Sequence, residues 1–314
     1  MKLFLDTLNQ MGELLLIMIV GFVLVKLKAV PDSVTQVLSK LENNVFIPAL
    51  VMGTFMENLT PAKLGVYGKL LALGCIVVVL TVPMAILVAK CFSKNRYLRN
   101  IYTYGLAFSN FGFMGNAVVG ALFATLLDGY MIFVLPFWAA IYLWGVPALL
   151  IPHEGKPKGI WQRLKPFANP MFAAMVVGIL LGLSGLWIPP FVGSAVSRLG
   201  DCMSPVAMLM TGMTIAKIDL KKAISNVPVY IASVIRLVVI PLAALAVVYL
   251  VKLERDLALC VVCCLAMPLG LSPVVVPAGY GMDTSDAAGM ALISHLLSCA
   301  TIPLVFWLFT ALIP

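Results

Sequence analysis

The chain has 314 residues, of which 62% are hydrophobic and 11% are charged, and its mean hydropathy is +1.07. Because a soluble domain of this length is about one-quarter charged, the composition indicates an integral membrane protein. The net charge of +8 calls for no nucleic-acid partner, since basic loops beside anionic lipid account for it.

Apolar runs long enough to cross a bilayer, which needs about 20 residues each, occur ten times along the chain. We therefore predict an all-α membrane protein with ten transmembrane helices. No small-residue cleavage site follows the first run, so it is expected to remain as a helix. The predicted spans are approximately 9–28, 34–56, 65–89, 100–124, 130–151, 169–188, 191–216, 227–251, 257–279 and 287–313.

Lys and Arg residues are distributed unequally between alternate loops. Thirteen fall on one side of the predicted membrane and five on the other. Since cytoplasmic loops carry the excess of positive charge, the first side is expected to be cytoplasmic. Both termini of this multi-pass protein are then extracytoplasmic, and the expected location is the cell membrane. The cytoplasmic side includes Lys156, Lys158, Arg163 and Lys165.

The two halves of the chain resemble each other at an offset of 157 or 158 residues. The offset places Pro31 on Pro189 and Pro83 on Pro241, in matching helices. Because five helices per half is an odd number, the second half must enter the membrane from the opposite side, as an inverted repeat. The predicted organisation is a first repeat, a cytoplasmic linker and a second repeat, at 1–151, 152–168 and 169–314.

Helix breakers interrupt the fourth and ninth predicted helices, at places 157 residues apart. A broken helix exposes backbone N–H and C=O groups that hydrocarbon cannot satisfy, so such breaks persist where they line a cavity. Corresponding breaks in two halves point to a substrate site, although plain kinking and packing is the alternative. The residues concerned are Asn110, Gly112, Gly115 and Asn116 in the fourth span, and Pro268, Gly270, Ser272 and Pro273 in the ninth.

The residue types at the breaks favour an anionic ligand. Pro268 and Pro273 each remove a backbone N–H, and Gly270 between them is expected to relieve the steric strain. Two half-helix N-termini then present partial positive charge and free N–H groups, which favour a carboxylate or a similar anion. Asn110 and Asn116 add amide groups that need hydrogen-bond partners at this depth.

Other polar residues leave alternatives open. Arg236 lies about nine residues into the eighth predicted helix, where it either pairs with an acidic residue or attracts anions. His295 in the tenth helix is either a packing residue or a group that titrates near neutral pH. Since neither broken span contains an acidic residue, a sodium site built on carboxylates is disfavoured, and backbone carbonyl groups remain as possible ligands.

The sequence does not favour an enzyme. It contains neither a Gly-x-Ser-x-Gly nor a His-Glu-x-x-His motif, and we predict no catalytic residues, no metal site and no cofactor. The cluster of Cys260, Cys263 and Cys264 has no nearby His or acidic residue on its helix and is interpreted as apolar packing. A channel or a non-transporting sensor remains an alternative to a transporter.

Two segments carry a resemblance to a known family. Ala266-Met-Pro-Leu-Gly-Leu-Ser-Pro-Val-Val-Val, followed by Gly279-Tyr-Gly, resembles the C-terminal region of the auxin efflux carrier family. That family includes the plant PIN transporters and bacterial organic-acid carriers. Ser109-Asn-Phe-Gly-Phe-Met-Gly is similar to the family's segment before its first crossover.

The resemblance implies a fold related to bile-acid transporters and sodium–proton antiporters, in which the fourth and ninth helices cross at their breaks. Helices 1, 2, 6 and 7 would form a scaffold, and helices 3–5 and 8–10 a moving transport bundle. The scaffold would also form a homodimer contact. Asn110 matches the family's carboxylate-binding asparagine, and Pro273 matches its crossover proline.

The resulting prediction is a secondary transporter that moves a small organic anion through the bilayer by elevator-type alternating access. A monocarboxylate, a dicarboxylate or an auxin-like acid would each fit. The alternative is a sodium- or proton-coupled symporter of the bile-acid type, or a membrane sensor. Val51, Met52 and Met208 are scaffold candidates for facing the site, with plain packing as their other interpretation.

Overall fold

The computed structural model describes residues 2–59, 61–152, 168–217 and 219–313. Throughout these ranges the backbone is helical or irregular, and its one β-type pairing is an isolated bridge. The basic residues of the predicted linker, Lys156, Lys158, Arg163 and Lys165, lie outside the described residues. The all-α prediction therefore agrees with the described part of the chain.

In the described part of the first half there are seven α-helices, three π-helical segments and two short 3₁₀ turns. Its second predicted span is one continuous helix with a π-helical turn at its centre. The α-helices are α1 (Lys2–Lys26), α2 (Val34–Leu41), α3 (Ile47–Asn58), α4 (Leu64–Ala89), α5 (Arg96–Ala107), α6 (Asn116–Leu122) and α7 (Leu127–Ala140). The π-helical segments are Glu42–Phe46, Phe111–Gly115 and Ile141–Leu150.

The second half contains nine α-helices among the described residues, and a π-helical turn, Ile235–Val239, joins two of them. The α-helices are α8 (Pro170–Ser184), α9 (Pro190–Asp201), α10 (Met203–Ala216), α11 (Leu220–Ile224), α12 (Val227–Val234), α13 (Ile240–Leu250), α14 (Arg255–Ala266), α15 (Ser272–Ala278) and α16 (Ser285–Leu312).

Local sequence explains where several helices begin and end. The side chain of Asn95 accepts hydrogen bonds from the backbone N–H groups of Tyr97 and Leu98, at 2.8 and 3.3 Å, and so caps α5. Asn169 caps α8 in the same way, and Pro170 stands at its first position, where a missing N–H costs nothing. Gly185 ends α8 with a φ of 62°, the left-handed conformation that glycine adopts readily.

Six helical stretches in the described residues are long and apolar enough to cross a membrane. They coincide with the first, third, fifth, seventh, eighth and tenth predicted spans. Phe111–Leu122 and Pro170–Ser184 are shorter apolar helices. The six stretches are Lys2–Lys26, Pro61–Ala89, Ala124–Leu150, Pro190–Ala216, Val227–Leu250 and Ser285–Leu312.

Helices from the two halves pack in matching pairs. α1 lies along α10, and α3 lies along α8 and α9. At the first contact the backbones approach so closely that a Cβ on Gly21 would lie 2.1 Å from the Leu209 carbonyl oxygen. A Cβ on Gly212 would lie 1.8 Å from the Met18 carbonyl oxygen. Small residues are what permit such close helix packing in a membrane.

The remaining helices of each half pack mainly with each other. α4 lies against α5 and α7, whereas α16 lies against α11 and α12, and α13 lies against α14. α16 also packs on α1, one of the helices that pair between the two halves. In the described chain the first, second, sixth and seventh predicted spans thus pack as one group of helices, and the other spans pack mainly with each other.

Two carboxylates, the buried Asp128 and the partly buried Asp286, tie helices together at matching places. Asp128 at the start of α7 accepts hydrogen bonds from the Lys63 ammonium group at 2.7 Å and from the Tyr67 hydroxyl. Its counterpart 158 residues on, Asp286 at the start of α16, accepts from Asn226 at 3.0 Å and from Tyr102 at 2.8 Å. Both ties fix the start of a long helix to residues that are at least 60 positions away in the chain.

Glu42 occupies the π-helical turn between α2 and α3, and its side chain is fully buried. Neither carboxylate oxygen has a hydrogen-bond partner among the described residues. A buried carboxyl group in these surroundings is stable only when it is neutral or has a cation beside it. The turn packs against α8, α9 and α10.

The tie at Asp128 leads to a stability prediction. Tyr67→Phe removes the hydroxyl donor from a buried carboxylate without changing the packing, so it should lower the free energy of unfolding by about 1.5 to 3 kcal/mol. Thermal unfolding of the detergent-solubilised protein measures this. Tyr249→Phe is the matched control, because Tyr249 is 51% exposed and should tolerate the change. Equal melting temperatures for the two variants would contradict the stabilising role of the tie.

Candidate functional site

The two predicted breaks meet each other in the structure. Ser109 and Leu269 form an antiparallel bridge, and the Asn110 N–H donates to the Pro268 carbonyl oxygen at 2.7 Å. The Ser109 hydroxyl also donates to the carbonyl oxygen of Cys264 at 2.6 Å, near the end of α14. Several of the backbone groups that the breaks expose therefore have hydrogen-bond partners in the other half of the crossing, which is what hydrocarbon surroundings require.

Arg236 lies directly behind this crossing and is fully buried. Its guanidinium group donates to the carbonyl oxygens of Leu106 at 3.0 Å, Leu265 at 3.0 Å and Met267 at 3.2 Å. These hydrogen bonds go to backbone, so the structure does not show pairing with an acidic side chain, which was one of the two alternatives for Arg236. Arg236 also does not line either cavity described below.

The amide of Asn110 has a defined orientation. Its Nδ2 lies 3.4 Å from Nε2 of His295, and its Oδ1 lies 3.5 Å from the backbone N–H of Met114. Nδ1 of His295 lies 2.7 Å from the Ala291 carbonyl oxygen. A carbonyl only accepts, so Nδ1 carries the proton and Nε2 accepts from Asn110. The buried His295 thus orients the amide group of Asn110. Both hydrogen bonds of the Asn110 side chain are long, at 3.4 and 3.5 Å.

A cavity of about 1990 Å³ extends from the crossing to the ends of α2 and α10. At its deep end it reaches Ser109, Asn110, Gly270 and Ser272. Aromatic side chains form part of its wall, namely Tyr104, Phe113, Trp138, Tyr142 and Trp144. Charged residues at its lining are Lys40, Lys217 and Asp219. The cavity therefore opens on the side where the sequence predicts the cytoplasm.

A second, much smaller cavity of about 30 Å³ lies beyond the crossing. Asn116 and Val51 line it, and Oδ1 of Asn116 is buried without a hydrogen-bond partner among the described residues. Gly112, Phe113 and Trp138 line both cavities and so form the wall between them. The small cavity has room for about one water molecule.

The glycines of the first break are needed for close packing. A Cβ on Gly112 would lie 2.6 Å from the Trp138 ring, and a Cβ on Gly115 would lie 2.2 Å from the Tyr130 hydroxyl oxygen. Neither glycine has a positive φ. Gly270 differs, since a Cβ there would meet its nearest atoms at 3.8 Å, an ordinary contact. Close packing therefore does not require a glycine at position 270, and relief of the strain at the two prolines stays a prediction.

The predicted site residues fall into three groups. Those that line the large cavity are Asn110, Gly112, Gly270 and Ser272. Those that line the small cavity are Gly112, Asn116 and Val51. Those that line neither are Gly115, Pro268, Pro273, Met52 and Met208. Pro273 is the second residue of α15, as its fixed φ favours. The part that any of these residues has in binding stays a prediction.

Sequence reasoning missed several residues that build the crossing. Ser294 accepts a hydrogen bond from the Leu269 N–H at 3.1 Å, and the Tyr130 hydroxyl donates to the Phe111 carbonyl oxygen at 3.0 Å. Both side chains are buried. The available signal was a hydroxyl group inside an apolar span, which must find a partner. The aromatic wall of the cavity gave no such signal, because aromatic residues are common in any apolar span.

Comparison with known protein families identifies a family that the chain matches. The sequence profile of a family described as membrane transport protein matches the chain in two segments, residues 6–163 and 159–308. Together these segments cover most of the chain. No curated protein matches it.

The packing of Gly115 on Tyr130 gives a test of the first break. Gly115→Ala should push the Tyr130 hydroxyl away from the Phe111 carbonyl oxygen and overpack the turn, at a cost of about 1 to 3 kcal/mol in unfolding free energy. Gly12→Ala is the control, because nothing lies within 4 Å of a Cβ at that helical glycine. Thermal unfolding should show a loss for Gly115→Ala alone. An equally stable Gly115→Ala protein would mean that the break tolerates a side chain there.

Proposed function

The chain belongs to the membrane transport protein family, that of the auxin efflux carriers, and on that premise we propose that it is a secondary transporter for a small organic anion. The observation that carries the proposal is the large cavity that ends at the paired breaks, with Asn110 at its deep end. A carboxylate there would meet the Asn110 amide nitrogen. It would also meet the positive N-terminal end of the 12-residue helix Phe111–Leu122.

The transported anion is a mono- or dicarboxylate, or an auxin-like acid. The aromatic part of the cavity wall suits an apolar or planar body, while the crossing suits the carboxylate group. Among the described residues of the lining, full positive charges are limited to Lys40 and Lys217, which lie toward the ends of α2 and α10. They would raise the local concentration of anions at the entrance without holding them at the site.

The proposed topology has ten transmembrane helices in two inverted repeats, with both termini outside the cytoplasm of a cell. The matching ties at Asp128 and Asp286 support the repeat, as do the matching packing pairs of α1 with α10 and α3 with α8. In this topology the large cavity opens to the cytoplasm. The described conformation is then an inward-facing state.

Alternating access is proposed to follow an elevator-type movement. The scaffold would consist of helices 1, 2, 6 and 7, and the moving bundle of helices 3–5 and 8–10, with a homodimer formed through the scaffold as the family resemblance implies. Both cavities lie between these two groups, on either side of Gly112, Phe113 and Trp138. A shift of the bundle along the scaffold would exchange the open cavity for the closed one.

An anion that crosses alone carries charge, so transport would respond to the membrane potential by about 2.3 kcal/mol per charge per 100 mV. A negative interior then favours export. Uptake would need a coupled proton or another cation, as in a symporter of the bile-acid type. A non-transporting sensor would bind the same anion without flux, and vesicle transport assays separate these cases.

Substitution of Asn110 tests the site. Asn110→Ala removes a hydrogen bond to a charged group, roughly 1.5 to 3 kcal/mol, so anion affinity should fall at least about tenfold. Asn110→Asp should abolish binding at neutral pH, because the new carboxylate repels an anion. Binding is measured across malonate, malate, lactate and an aromatic acid, using whichever acid the parent protein binds.

Asn43→Ala serves as the matched control for Asn110. Asn43 also lines the large cavity, but its side chain bonds to the Ser39 carbonyl oxygen at 2.7 Å, away from the crossing. Its replacement should leave affinity unchanged. Since the contacts of Asn110 are long, at 3.4 and 3.5 Å, its variants should melt close to the parent temperature. Undiminished binding by Asn110→Asp would place the site elsewhere.

Cysteine labelling tests the topology. In a cysteine-free background, which is needed because Cys75 and Cys91 are exposed, an impermeant thiol reagent applied outside intact cells should label Lys2→Cys but leave Lys158→Cys unlabelled. Permeabilised cells provide the control, and there both positions should react. External labelling of Lys158→Cys in intact cells would reverse the proposed orientation.

A further inference from the structure

The ends of two helices converge on Arg236. Leu106 belongs to the last turn of α5, while Leu265 and Met267 belong to the last turn of α14 and the residue that follows it. Carbonyl groups in the last turn of a helix have no partner within that helix. Both ends also carry the negative pole of their helix dipole. The crossing therefore creates a place of negative potential, lined by carbonyl oxygens, inside the membrane-spanning part of the protein.

Converging carbonyl oxygens are the kind of ligand that hard cations such as sodium prefer. In this chain the guanidinium group of Arg236 takes that place, with three nitrogen–oxygen distances of 3.0 to 3.2 Å. The π-helical turn Ile235–Val239, between α12 and α13, positions the side chain. Ser109 satisfies a further carbonyl of the same helix end, that of Cys264. One cation and one hydroxyl group thus satisfy four carbonyl groups at these two helix ends, those of Leu106, Cys264, Leu265 and Met267.

We infer that Arg236 is a tethered cation that fills the cation site formed by the two helix ends, so that the crossing binds no sodium ion. This inference rests on the proposed function in one respect, since it excludes sodium at the crossing as the coupling ion of that transporter. It also explains why only one half of the chain has the arginine. A cation that lies between the two helix ends serves both, and the repeat counterparts Val78 and Val79 are apolar.

A purely structural cap would make the same hydrogen bonds, so the experiment must ask whether a free cation can replace the side chain. Arg236→Ser removes the cation and leaves a space beside the carbonyl oxygens. We expect its melting temperature to fall by more than about 5 °C. Millimolar sodium or guanidinium chloride should restore at least half of that loss, while choline chloride at equal ionic strength should not. Arg236→Lys, which keeps a charge, should melt closer to the parent.

The parent protein supplies the second measurement. Replacing sodium chloride by choline chloride should leave the melting temperature of the parent unchanged. The parent should also bind no radioactive sodium, at a concentration that would saturate a specific sodium site. Sodium-specific stabilisation of the parent would overturn the inference, as would a folded Arg236→Ser protein that no small cation stabilises. If Arg236→Ser does not fold, the inference is tested on the parent protein and on Arg236→Lys instead. An Arg236→Lys protein that also fails to fold counts against a tethered charge.

These readouts do not involve the transported anion. Loss of the proposed anion transport would appear as absent flux or binding in the parent protein, with its response to sodium unchanged. Failure of the tethered-cation inference would appear as a sodium response with anion binding intact. The two proposals can therefore fail separately.

Discussion

Hydrocarbon cannot form hydrogen bonds with backbone groups, and this constraint governs the centre of the protein. Two interrupted helices would each be unstable alone in a bilayer. Here each break supplies partners for the other, through the Asn110–Pro268 backbone hydrogen bond and the Ser109–Cys264 contact. The crossing can consequently form only when the two halves of the chain have come together. A site built in this way contains residues from both halves by necessity.

At the two breaks, the negative C-terminal ends of helices and the positive N-terminal ends of helices lie on different sides of the crossing. The C-terminal ends of α5 and α14 point their carbonyl groups at Arg236, on the side away from the cavities. The helix that begins at Phe111 and the short α15 begin on the cavity side, where Ser272 and Gly270 are accessible. Neutralising the negative ends with a buried cation leaves the positive ends facing the cavity. That arrangement favours an anion at the crossing more strongly than either helix end alone.

The sequence predicted the breaks because Gly, Pro and Asn within an apolar span are incompatible with an uninterrupted helix. It also predicted the apolar spans, six of which the structure describes as helical stretches long and apolar enough to cross a membrane. The partners of Arg236 could not be predicted in this way. They are carbonyl groups, which every residue has, and the nearest lies 29 residues away in the chain. Met208 was a candidate for facing the site because it occupies a matching place in the repeat. Its side chain is fully buried, which that place in the sequence did not predict.

The shared wall between the two cavities limits how a substrate could pass. Trp138 stacks on Tyr142 at 5.6 Å and packs edge-on against Phe111 at 5.0 Å, so it is held from two sides. Rotating this ring alone would open only the cavity of about 30 Å³, which has no room for an organic acid. That cavity is closed by Val51 and Phe55 from one group of helices and by Asn116 from the other. Movement of one group past the other would enlarge it, and this supports the proposed elevator-type movement over a local gate.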